Sequence, residues 1–134
     1  MTAIQALLGF VAVTLLLVAS IFLYRGVRFL RGTPINHWPR GNKPVDDAPL
    51  IKRIEDAHAN CLENLPVFAT IVLAAAALHK LELLAPIAVW LLYARIGQIA
   101  AHLSGVGPAQ VLVRASFWSA QLALMVWMLV LLVP

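Results

Sequence analysis

The chain has 134 residues, 62% of them hydrophobic and 12% charged, with a mean hydropathy of +0.88. A soluble domain carries roughly 25% charged residues, so this composition excludes a soluble globule and makes a membrane the simplest solvent. The formal net charge of +4 gathers between residues 25 and 53, which reads as membrane topology rather than a nucleic-acid footprint.

The length fits one domain, and the single cysteine, Cys61, excludes an internal disulfide. Residues 3 to 24 are apolar apart from Gln5, a run longer than the ~7–15 residues of a signal-peptide core. No basic residue precedes the run, and Arg25, Arg28 and Arg31 end it, so a retained spanning helix is expected over about 3–30. A polar connection follows, G-T-P-I-N-H-W-P-R-G-N-K-P-V-D-D-A-P, whose prolines and glycines bar a continuous helix. A loop this long in so small a protein is often functional.

The second helix is expected over about 48–79, with Asp47 as N-cap, Pro49 in the first turn and a kink at Pro66. After a turn at His79–Glu82, a third helix is expected over about 82–104, stopped at Gly105. A fourth follows over about 108–133. Each segment reaches the ~20 apolar residues that a hydrocarbon core requires, and a lone span in lipid must satisfy its own backbone as a helix. The short second and third connections make neighbours antiparallel. The expected fold is therefore all-α, an integral membrane four-helix up-down bundle. Arg25, Arg28, Arg31, Arg40, Lys43, Lys52 and Arg53 surround the first connection, whereas the second holds only Lys80. The positive-inside bias then puts the first and third connections in the cytoplasm and both termini on the other side.

The stretch R-I-E-D-A-H-A-N-C-L-E-N-L-P, residues 53 to 66, loads polar groups into the first half of an otherwise apolar span. Ionisable side chains at that depth mark a functional site by default. At about 100° per residue, Arg53, Asp56, Asn60, Glu63 and Asn64 form one stripe on the second helix. Arg95, Gln98 and His102 form another on the third, and Arg114, Trp118, Gln121 and Met125 one on the fourth. All three stripes fall in the half nearer the first connection, so convergence is expected.

Blander roles compete. Gln98 and Gln121 could simply bond a neighbouring helix, and Arg53 could snorkel to the surface. Glu63 could be the counter-ion of Arg95 or Arg114. His58 points away from the main stripe and Cys61 is small and apolar, so both read as packing residues. A metal site is not expected, because the second helix lacks the spacing that sets two ligands on one face, and two arginines would oppose a cation. Those arginines favour a carboxylate, phosphate or thiolate instead.

The segment A-H-A-N-C-L-E-N-L-P-V-F resembles the second-helix motif of the MAPEG family, the membrane-associated proteins of eicosanoid and glutathione metabolism. Y-A-R-I-G-Q-I-A-A-H-L resembles its third helix, and V-R-A-S-F-W its fourth-helix arginine. The resemblance implies a homotrimer that binds glutathione between subunits near the cytoplasmic side, together with membrane lipids and a lipophilic substrate. It implies that Asn60 and Glu63 contact the glutathione backbone, that Arg95 holds carboxylates and that Arg114 stabilises the thiolate. Gln98 and His102 would line the same pocket. The chain departs from eicosanoid-type members in carrying Asp56 where they have a glutathione-binding arginine, with Arg53 as the nearest replacement, and His102 where they have a tyrosine. The expected function is a glutathione-dependent transferase or peroxidase-like activity on lipophilic electrophiles. The alternative is a non-enzymatic protein binding lipid or another small ligand on the same scaffold, and the Asp56 departure favours it.

Overall fold

The computed structural model describes residues 1–41 and 43–133. Four helices carry the fold: α1 (Ala3–Leu30), α2 (Pro49–Ala77), α3 (Leu81–Ser104) and α4 (Pro108–Leu132), with a short 3-10 turn at Ile35–His37 in the first connection. Each is long and apolar enough to cross a membrane. The described residues contain no strand.

Local chemistry sets the helix ends. Thr2 and Gln5 form a reciprocal capping box at the start of α1. Proline opens both α2 and α4, where its missing N–H and fixed φ cost nothing. The end of α2 is closed by His79, which adopts φ 56°, while its N–H donates to the Ala76 carbonyl and the Lys80 N–H to that of Ala75. That is a Schellman closure without the usual glycine.

The core lies among α1, α2 and α3, around Phe10, Cys61, Phe68, Val72, Leu84 and Leu91, all fully buried. The Phe10 and Phe68 rings pack 5.8 Å apart between centroids. Gly9 lets α1 approach α3 closely, since a Cβ there would stand 2.8 Å from Leu92 Cδ2. Gly97 does the same for α3 and α4: a Cβ would stand 2.5 Å from the Phe117 ring. Helix α4 leans on α3 and touches α2 only lightly. Its buried seam is Gln121, Met125, Met128 and Leu132.

Asp47 does not cap α2. The N-cap is Ala48, with no side-chain cap. The Asp47 carboxylate turns instead onto α1, accepting from Arg28 at 2.8 Å, from the Trp38 indole at 3.1 Å and from the Tyr24 hydroxyl at 3.3 Å. The Tyr24 hydroxyl in turn accepts the Ala48 N–H at 3.1 Å. Arg28 also donates to Asp46 at 2.5 Å, and Arg25 to Glu55 at 2.6 Å. The proline-rich connection is thereby knotted to the end of α1. The Arg28 guanidinium holds the Asp46 carboxyl at about 2, well below its usual range, with the hydrogen bond to His37 a smaller cause.

Removing the shared acceptor with Asp47→Ala is expected to cost about 2–3 kcal/mol, the scale for losing hydrogen bonds to a charged group. Thermal melting in detergent reads this, and a midpoint equal to wild type would refute it. Because the Asp46 carboxyl is lowered in the folded protein, its contribution is present above pH ~3.8 and fades as pH falls toward 2. Trp38 fluorescence, isolated by difference against Trp38→Phe, should change as pH falls from about 4 toward 2.

Candidate functional site

The three polar stripes meet in one open cleft of about 650 Å³, within the range of small-molecule sites. Helix α2 supplies one wall through Asp56, Ala59, Asn60 and Glu63. Helix α4 supplies the other through Val111, Arg114, Ala115, Trp118 and Ser119, and α3 lays Gln98 and His102 along the floor. The cleft exists because α3 holds α2 and α4 apart.

Arg114 bonds His102 Nδ1 at 3.0 Å. A guanidinium has no acceptor, so Nδ1 must accept, which fixes the imidazole as the neutral Nε2–H tautomer. The Gln121 amide donates to Gln98 Oε1 at 2.8 Å and to the Phe117 carbonyl at 3.0 Å, sealing the floor between α3 and α4. Glu63 is exposed on its wall, and among the described residues neither it nor Arg114 has an ion-pair partner. Glu63 thus forms no direct ion pair with Arg95 or Arg114, although its charge acts on Arg95 at longer range.

Two predicted site residues stand elsewhere. Arg95 is 1% exposed, inside the core behind Asn60. It donates to Asn60 Oδ1 at 2.7 Å and lies 4.9 Å over the Phe10 ring. Its Nε and Nη2 have no hydrogen-bond partner among the described residues. Arg53 donates from Nε to the Leu103 carbonyl at 3.1 Å, tying α2 to the last turn of α3 rather than lining the cleft. Cys61 is fully buried and His58 lies off the cleft, as packing residues would.

Asp56 lines the cleft as its place in the α2 stripe predicts, but its partner was not anticipated. Its carboxylate, at the cleft rim, accepts from the ammonium of Lys43 in the first connection. Lys43 also reaches the Lys52 carbonyl at 3.5 Å. Sequence periodicity does not reach into a loop, so this pairing had no signal there. The wall residues Val111, Ala115 and Ser119 were missed because they are small or apolar, although their spacing of four follows the face of Arg114 and Trp118.

One cluster has metal-like chemistry: His37, Asp46 and Asp47 bring ligand atoms within 4.8 Å of one another. Arg28 already bonds both carboxylates there, so a fixed cation stands where a metal ion would have to bind.

Among protein-family models, that of the MAPEG family matches residues 4–133. No curated protein and no solved structure matches the chain.

The Arg95–Asn60 bond couples core to cleft. Asn60→Leu is expected to cost about 3–5 kcal/mol by stranding a buried guanidinium. Arg95→Met removes that charge, so Asn60→Leu added to Arg95→Met should cost about 1 kcal/mol or less, the scale of a hydrophobic swap. A four-way comparison of unfolding free energies in detergent measures the coupling, and simple additivity would contradict it.

Proposed function

The chain belongs to the MAPEG family, and from that premise we propose that it is a membrane-embedded, glutathione-dependent transferase or peroxidase-like protein acting on lipophilic electrophiles. The observation that carries this reading is the pair of opposite charges on facing walls of the cleft. Glu63 and Arg114 are both without an ion-pair partner among the described residues, at a depth where unpaired charge is expensive. A zwitterionic thiol completes both: an ammonium for the Glu63 carboxylate and a thiolate for the Arg114 guanidinium.

Glutathione supplies the thiol. Glu63 anchors its amino group, and Asn60, held by Arg95 through Oδ1, offers its Nδ2–H donors to the peptide. Arg95 acts through Asn60 rather than on a carboxylate directly. His102 and Gln98 complete the floor, and His102 orients Arg114. Arg114 favours the thiolate over the thiol, so the thiol proton leaves to solvent. The sulfur lone pair then forms a bond to the electrophilic carbon. In addition to an activated double bond, the π electrons shift to the neighbouring carbon, which takes a proton from water. The apolar wall of Ala59, Val111, Ala115 and Trp118 suits a lipophilic partner arriving from the bilayer.

The functional unit is a homotrimer in this reading, with the first and third connections and the cleft mouth on the cytoplasmic side. The lightly packed α4 supports association, because much of its apolar surface is left for lipid or a second copy. The basic residues around the first connection support the orientation. The non-enzymatic alternative drew on Asp56 as a carboxylate-repelling group. Its pairing with Lys43 removes that argument.

The thiolate absorbance of bound glutathione tests the assignment on wild type and Arg114→Ala. A thiol pKa lowered by ~2 units from ~8.5 is mostly thiolate at pH 7, and losing that effect cuts the thiolate fraction roughly 20-fold. Equal signals would remove Arg114 from this role. Calorimetric titration showing no binding of millimolar glutathione to a folded trimer would sink the co-substrate.

A further inference from the structure

We propose that Lys43, presented from the first connection by Asp56, is the cation that binds the glycyl carboxylate of the thiol co-substrate at the cleft rim. The inference rests on the glutathione reading above and specifies which residue recognises one of its two carboxylates, the glycyl one.

Charge matching within the cleft leads there. Glutathione brings one ammonium, two carboxylates and a thiolate. Glu63 and Arg114 account for the ammonium and the thiolate. Arg95 is buried in the core and absent from the cleft lining, so the residue expected to hold carboxylates does not face them. Arg53 is turned onto the Leu103 carbonyl. Arg95 and Lys43 each bond a lining residue, Asn60 and Asp56, without lining the cleft themselves, but Lys43 is exposed at the rim whereas Arg95 is buried.

Distance supports the same assignment. Asp56 stands seven residues before Glu63 on α2, about 10.5 Å along the helix at 1.5 Å per residue. An extended α-linked tripeptide spans about 10 Å at ~3.3–3.6 Å per residue, and the γ-glutamyl link of glutathione, which runs through two further methylenes, lets it cover that distance without full extension. With the amino end at Glu63, the glycyl end reaches the level of Asp56 and Lys43.

The loop is built to hold the lysine there. Lys43 lies three residues before Asp46, which with Asp47 is tied to Arg28 of α1. Lys43 and Asp56 are both well exposed, 41% and 52% at the side chain, and an exposed pair adds little to stability. Its consequence lies in placement. Asp56 is the positioning residue, and its own charge is offset by the ammonium it positions.

The experiment compares glutathione with its glycyl monoethyl ester, which lacks that carboxylate, by calorimetric titration of the full trimer. Wild type is expected to bind glutathione about tenfold more tightly than the ester, the scale of one charge-assisted contact. Lys43→Ala should bind both equally, and Lys43→Arg should restore the preference. Asp56→Ala separates the roles by sign. If Asp56 positions Lys43, its loss weakens glutathione binding and leaves the ester unchanged, whereas mere repulsion by Asp56 predicts tighter glutathione binding. The double variant Lys43→Ala/Asp56→Ala should remain as weak as Lys43→Ala. Recovery of wild-type affinity in the double variant would overturn the proposal, because Lys43 would then only cancel Asp56. An unchanged glutathione-to-ester ratio in Lys43→Ala would also overturn it while leaving the glutathione reading intact. Wild type binding neither ligand would sink both.

Discussion

A hydrocarbon surround offers a polar side chain no partner of its own, so every such group in these helices must find one inside the protein or at an open cleft. The pairing follows that constraint closely. Thr14, Ser20, Thr70 and Ser116 return their hydroxyls to the carbonyl four residues earlier on their own helix. Gln98 bonds Gln121, and Arg114 bonds His102. Arg95 bonds Asn60. Glu63 faces the cleft with no ion-pair partner among the described residues, and Asn64 Nδ2, Gln121 Oε1 and two nitrogens of Arg95 are buried without a hydrogen-bond partner.

The first connection obeys a different rule, because it lies where water can compete. Its composition bars a helix, so its backbone lacks regular partners and side chains take over the ordering. Arg28 spans Asp46 and Asp47, and the Trp38 ring lies 5.7 Å from the Arg28 guanidinium. Asp47 is buried here with its charge met by one arginine, one indole and one phenol. The bond between Lys43 and Asp56 extends that ordering to the cleft rim. A loop side chain thus meets the rim of a cleft that periodicity locates only on helices.

The four spans were legible because hydropathy alone demands them. The convergence of Asp56, Asn60, Glu63, Gln98, His102 and Arg114 was legible because 100° per residue sorts each onto one face. What an angle does not give is the neighbour it faces. Arg95 and Gln98 lie about 60° apart on α3, yet α3 is flanked by α1, α2 and α4. Angle alone does not make the distinction, since His102 lies about 20° from Arg95 and still lines the floor; Arg95 stands seven residues, about 10.5 Å along α3, from His102 and there meets Asn60 and the Phe10 ring instead. Asp47 was misread for a related reason. Its place before Pro49 matches an N-cap, but the decisive partner, Arg28, lies nineteen residues away, and no local pattern ranks a cap against a distant guanidinium.

The two inner arginines give the cleft its polarity by similar means. Arg95 occupies the oxygen of Asn60, which leaves the amide Nδ2 as the group free to donate. Arg114 occupies Nδ1 of His102, which leaves Nε2–H as the donor. A neutral amide and a neutral imidazole are each fixed in one orientation by a bonded guanidinium, Arg95 from the core and Arg114 from the α4 wall, and hydrogen bonds chained in this way polarise one another. Both leave directed N–H donors at the cleft, on the α2 wall and on the floor. Glu63 adds a carboxylate acceptor on the same wall as Asn60. On the proposed reading, fixed donors together with a guanidinium and a carboxylate that lack ion-pair partners among the described residues suit a ligand that carries both charges, whereas a simple anion or a neutral lipid would leave Glu63 unpaired.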